Sequence, residues 1–343
     1  MKPVLFLIHG IGNHNESWAE PITEKLNNVS KRYKKLKAKD KHVKDLIDFR
    51  PISYDHFFRQ QLSRWQSDVQ ALRENAEYGY LKDGIEWLGG YTEDSFVWSH
   101  VADVLLFMLE PVRSAVISYV TEQIKKGIVE RDDGSQNFHV LAHSLGTAVA
   151  TYALHNMNVD PPGGESPYKD GNFKFGNVFM VSNTSRLLQT EPSAYDTKVK
   201  SGLSNSKRAN CLNYWNISHT YDPIPKPRAF RPQHFEAGYH VVEVSHFYQR
   251  NIHSLEHYCE HPGAHVPVLR TIDPALIPGN EYQVALDAYR DPTKKQFGGD
   301  FQDIAQVAQL KEDLKEFDLG DWDDINKFKS FLKYFANSLK VLT

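Results

Sequence analysis

Ser144 stands in Leu141-Ala142-His143-Ser144-Leu145-Gly146, with the small residues Ala142 and Gly146 two positions to either side. A serine hydroxyl is a poor nucleophile unless a neighbouring base takes its proton. Small flanks let a serine occupy a sharp strand-to-helix turn without clashing, which presents its oxygen to a base and to an acyl carbonyl. The segment departs from G-x-S-x-G only at its first position, where Ala142 adds one methyl group. A five-residue pattern arises often by chance, so its context carries the weight. Phe138 to Ala142 reads as a short apolar strand, and Thr147 onward reads as a helix rich in small residues. The bland alternative is a serine in an ordinary strand-to-helix turn.

Two other clusters bear chemistry. His246, His253, His257, His261 and His265 crowd the region after residue 245, with Cys259 among them. Two histidines at i and i+4 can share a helix face and a metal. Neither H-E-x-x-H nor a paired C-x-x-C accompanies them, so the expectation is packing and base service, with no metal and no cofactor. Upstream, His9-Gly10-Ile11-Gly12-Asn13-His14 is a glycine-rich turn. Such turns also cradle phosphates, but no G-x-G-x-x-G or G-K-[ST] ending follows.

These residues need strands to position them. Val4–Ile8, Leu46–Tyr54, Phe138–Ala142, Val178–Ser182, Cys211–Ser218 and His240–Val244 read as strands, several as continuous apolar runs. Helical patterns cover Trp18–Leu36, Arg59–Asn75, Leu105–Ile124 and Ser254–His261. Asp160–Asn172 is a loop, and the polar, irregular stretch Asn183–Asn210 is a candidate lid. Strands alternating with helices predict an α/β layer fold with a mostly parallel central sheet flanked by helices. The predicted organisation is one domain over residues 1–277, with helical insertions near 55–100 and 183–210. A C-terminal helical extension over 278–343 then packs on the same domain, with Phe301–Phe317 and Trp322–Leu339 amphipathic.

Composition excludes more than it assigns. A net charge of −3 offers no global attraction to nucleic acid or to an anionic membrane. The basic residues between Lys31 and Lys44 read as a solvated helix end rather than a binding stripe. Met1 to Ile8 is too short an apolar stretch for a secretory core, and Val101–Val120 is interrupted by Asp103, Glu110 and Arg113. No integral membrane segment is expected. Two cysteines, Cys211 and Cys259, make no disulfide framework and suit a reducing compartment, so the expected location is the cytoplasm.

Taken together, His143-Ser144-Leu145-Gly146 and His9-Gly10-Ile11-Gly12 resemble the α/β-hydrolase superfamily, and its lipase and esterase branches in particular. The resemblance spans roughly residues 2–270. It implies that acid and base follow the nucleophile in the chain order Ser, Asp or Glu, His. Asp222, in His219-Thr220-Tyr221-Asp222-Pro223, is then the expected acid, with a turn aspartate and the weaker choice Asp196 as alternatives. His253, just before Ser254-Leu255-Glu256, is the expected base, with His257 as its rival. The oxyanion donors implied are the N–H groups of Leu145 and of Ile11, with Gly12 beside the latter. The activity implied is hydrolysis of a small-molecule or lipid acyl ester or thioester through an acyl-enzyme. Transfer to another acceptor by the same residues, or a catalytically silent binding protein, are the alternatives.

Overall fold

The computed structural model describes residues 2–10, 17–60, 104, 106–131, 137–158, 173–188, 199–203, 209–230, 237–246 and 251–289. Six strands, β1 (Val4–Ile8), β2 (Asp48–Ile52), β3 (Phe138–His143), β4 (Phe175–Val181), β5 (Cys211–His219) and β6 (Tyr239–Val244), form one sheet. Its order is β2-β1-β3-β4-β5-β6, and every neighbouring pair runs parallel. The helices are α1 (Glu20–Ser30), α2 (Lys34–Ala38), α3 (Val43–Leu46), α4 (Glu110–Val129), α5 (Leu145–Asn158), α6 (Leu255–Glu260), α7 (Pro262–Leu269) and α8 (Gly279–Asp287).

Helices cover both faces, which is why the central strands are apolar on successive residues rather than on alternate ones. Val4, Phe6 and Ile8 of β1 face a core shared with Val116, Val120 and Ile124 of α4 and with Ala148 and Val149 of α5. Leu5 and Leu7 face the opposite core, built with Ile22, Leu26 and Val29 of α1 and with residues of α6 and α7. All five β1 residues are buried. The α/β class and parallel sheet expected from the sequence are therefore observed.

Several boundaries differ from expectation. The helix expected over Trp18–Leu36 is two pieces, because Tyr33 turns extended to bury its ring, where its hydroxyl meets His265 Nε2 at 2.6 Å. The helix after Ser144 begins at Leu145, two residues before Thr147. The candidate lid loses its first part: Asn183, Thr184, Ser185, Leu187 and Leu188 are buried at the end of β4. There the polar side chains bond one another and α5, so polarity reflected an internal network rather than solvent. Residues 189–198 and 204–208 of that stretch lie outside the described residues. So do the expected helix over Arg59–Asn75 beyond residue 60, the expected loop Asp160–Asn172 and both amphipathic segments after residue 289. The first helix of the C-terminal region, α8, rests Tyr282 and Ala285 against the second core.

The basic stretch is partly used for that docking. Lys34 N donates to Glu281, Lys35 Nζ to the Ala275 carbonyl, and Arg32 pairs with Glu260 at 2.7 Å. Cys211 and Cys259 are buried and not in a disulfide, and burial pushes the Cys259 thiol up to about 12. Among the described residues, no helix is long and apolar enough to cross a membrane.

Candidate active site

The chain leaves β1 towards β2 on one side and later returns to β3 on the other. The carboxyl ends of β1 and β3, on either side of such a reversal, are the place where open α/β sheets bind ligands. His9-Gly10 follows β1 there, and Ser144 follows β3.

Ser144 has a φ of 53°, a left-handed conformation rarely held by a residue other than glycine. Such strain persists only when the surroundings over-determine it. Here the Ser144 N–H donates to the Val181 carbonyl at 3.0 Å, so the turn is tied to β4. Its carbonyl accepts from the Thr147 hydroxyl at 2.6 Å, the Thr184 hydroxyl at 2.8 Å and the Thr147 N–H at 2.9 Å. Two glycines beside it leave no room for a side chain. A Cβ on Gly146 would overlap the His9 carbonyl oxygen, and one on Gly10 would stand 2.7 Å from the Ser144 Cβ.

The expected acid and base meet this serine. His253 Nε2 lies 2.9 Å from Ser144 Oγ, and His253 Nδ1 lies 2.8 Å from Asp222 Oδ2. Ser144 and Asp222 follow the carboxyl ends of β3 and β5, His253 precedes α6, and they are 1%, 0% and 7% exposed for Ser144, Asp222 and His253. Ser254 caps α6 by accepting from the His257 N–H, which places His253 in the turn just before the helix. The turn-aspartate reading of Asp222 also holds. Oδ1 accepts from the Ile224 N–H at 3.0 Å, while Oδ2 faces the histidine. Burial alone would raise the Asp222 carboxyl. The attraction and hydrogen bond of His253, with hydrogen bonds from Ser182 and Tyr258, outweigh it and hold the group well below the usual carboxylate range.

The rival histidines are placed elsewhere. His257 Nε2 donates to the His246 carbonyl at 3.0 Å, and burial first, with His219 nearby, depresses its ring to about 3. His261 caps α7, and His265 spans the Tyr33 hydroxyl and the Cys259 carbonyl. Among the described residues, no group of three or more His, Cys, Asp or Glu is arranged to hold a metal. Asp196 lies outside the described residues.

Of the two expected oxyanion donors, Leu145 opens α5, where first-turn N–H groups have no acceptor within the helix. Ile11 and Gly12 lie outside the described residues. The turn leading to them is held firmly. Tyr54 stacks on His9 at 4.1 Å between ring centroids, and its hydroxyl donates to the His9 carbonyl at 2.6 Å.

Three contacting residues escaped the sequence reading. Ser182 Oγ donates to Asp222 Oδ2 at 2.7 Å and lies 3.1 Å from His253 Nδ1. Tyr258 Oη donates to the same carboxylate oxygen at 2.7 Å. His143 Nε2–H donates to the His253 carbonyl at 2.6 Å, anchoring the loop that carries the base. Ser182 left one trace in the sequence, as the first polar residue after the apolar run Val178-Phe179-Met180-Val181.

No protein-family model and no curated protein matches this chain.

Proposed function

We propose that this protein is a serine hydrolase of the α/β-hydrolase type, cleaving a carboxylic ester or thioester through an acyl-enzyme. The observation that carries the reading is the continuous line Ser144 Oγ, His253 Nε2, His253 Nδ1, Asp222 Oδ2, with links of 2.9 and 2.8 Å. All three members of that line are buried, and they follow the chain order Ser, Asp, His.

In this mechanism Ser144 Oγ attacks the acyl carbonyl carbon while His253 Nε2 takes the hydroxyl proton. The carbonyl π electrons move to oxygen, which the Leu145 N–H and a donor of the glycine-rich turn stabilise. His253 then returns its proton to the departing alcohol or thiol as the acyl–heteroatom bond breaks. Water, deprotonated by the same nitrogen, releases the acid and restores Ser144. Asp222 keeps the Nδ1 tautomer in place and balances the imidazolium in each half-reaction.

Purified protein is expected to hydrolyse p-nitrophenyl esters and to react with a fluorophosphonate probe. Ser144→Ala should lower turnover by at least about a thousandfold and abolish labelling. Undiminished activity or labelling in that variant would exclude Ser144 as the nucleophile.

A further inference from the structure

Ser144 and Ser182 are neighbours in the sheet. His143 and Val181 are register partners on β3 and β4, and each strand delivers its serine at the next residue. Both serines hold the left-handed backbone conformation, at φ 53° and 49°. Their hydroxyls flank one imidazole. Ser144 Oγ stands 2.9 Å from Nε2, and Ser182 Oγ stands 3.1 Å from Nδ1. Like Ser144, Ser182 is held by its sheet neighbour, since its N–H donates to the Ile217 carbonyl at 2.9 Å. It is fully buried.

The hydrogen bonds at Ser182 can be assigned one by one. Its single hydroxyl hydrogen points to Asp222 Oδ2 at 2.7 Å, so towards His253 it presents only lone pairs. Asp222 as a carboxylate presents only lone pairs as well. Both neighbours of His253 Nδ1 are therefore acceptors, and that nitrogen carries the proton. Nε2 is left with its lone pair aimed at Ser144. Tyr258 donates to the carboxylate, whereas the Ser182 hydroxyl touches carboxylate and imidazole both.

We infer that Ser182 is a positioning residue of the relay: its hydroxyl clamps Asp222 against His253 and fixes the tautomer that makes His253 a base for Ser144. The strained backbone at Ser182 serves that placement, as the strained backbone at Ser144 serves attack. This inference rests on the hydrolase reading above.

The test uses the full-length protein with Ser182→Ala and Ser182→Gly. Both remove the hydroxyl, and glycine also relieves the left-handed backbone, so a loss caused by strain alone would appear in alanine only. Both variants should keep KM for a p-nitrophenyl ester and lose roughly ten- to a hundredfold in kcat, the scale of a hydrogen bond to a charged group. The low-field proton resonance of His253 Nδ1–H should shift or broaden in both. Wild-type kcat in Ser182→Ala, with wild-type protein still labelled at Ser144 by a fluorophosphonate, would overturn the positioning role and leave the hydrolase reading standing. Full kcat in Ser182→Gly with loss in Ser182→Ala would also overturn it, by assigning the effect to the backbone. A wild-type protein with neither turnover nor labelling would overturn the hydrolase reading, and this inference with it.

Discussion

Asp222 divides its two carboxylate oxygens between shape and chemistry. Oδ1 closes the turn by accepting the Ile224 N–H, and Oδ2 collects donors from His253, Ser182 and Tyr258. A fully buried carboxylate without such partners would be strongly penalised by loss of hydration. Three donors on one oxygen make the ionised form the stable one. An amide in its place could still occupy the turn, but it carries no charge and can present an N–H to the imidazole. Asp222→Asn should therefore leave folding nearly intact and lower kcat on an acyl ester by about 10³–10⁴, through the wrong histidine tautomer. Steady-state kinetics beside a thermal melt checks this. A near-normal kcat in the folded variant would remove Asp222 from the relay.

At the scale of elements, the turn between β3 and α5 can be sharp only because α5 begins directly against the end of β1. Gly146 sits where any side chain would overlap the backbone oxygens of Ile8 and His9. Backbone cannot rotate away as a side-chain tip can, so helix or strand must shift. Gly146→Ala is expected to lose roughly 1–3 kcal/mol of stability, the usual cost of overpacking, and to displace Ser144 from His253. A lowered melting temperature together with slower probe labelling would agree with that. An unchanged melt and unchanged labelling would show that the helix has room to spare.

That turn was legible in the sequence because its signals are local: an apolar strand, small flanks and a run of small helix residues. His253 was legible for a similar reason, since Ser254 marks the start of α6 and the base precedes it. Asp222 followed from chain order and a strand end. Ser182, Tyr258 and His143 were not legible. Their bonds join Ser182 to Asp222, Tyr258 to Asp222 and His143 to His253, and no short pattern records pairs so far apart in the chain. The polar run beginning at Asn183 misled for a related reason. Asn183 donates to Tyr214 and Asn216, and Thr184 donates to the Ser144 carbonyl, so side chains that read as surface are internal scaffolding.

Across the whole molecule, three histidines beyond the relay, His257, His261 and His265, are buried and held towards the neutral form. His219 and His257 both donate to the His246 carbonyl, and His246 stacks on the His257 ring at 4.9 Å. Burial depresses His257 to about 3, His261 to about 4 and His265 to about 3, against an ordinary value near 6.5. Below 6.5 the unfolded chain takes up protons that the folded chain refuses. Stability is thus fully present above about pH 6.5 and is lost as pH falls towards the folded values, by up to about 1.4 kcal/mol per pH unit for each such histidine. Asp222 and Glu260, both lowered, add to the loss only below their unfolded values near 4. A melting temperature lower by roughly 10 °C or more at pH 5 than at pH 7.5 is expected. A flat profile over that interval would mean these histidines protonate while folded.

The proposed chemistry converges on one oxygen atom, Ser144 Oγ. The direct measurement is mass spectrometry of the wild-type protein after reaction with a fluorophosphonate, with the adduct mapped to its residue and Ser144→Ala carried alongside. A single stoichiometric adduct on Ser144, and none in the variant, is expected. An adduct at another residue, or equal labelling of both proteins, would contradict it.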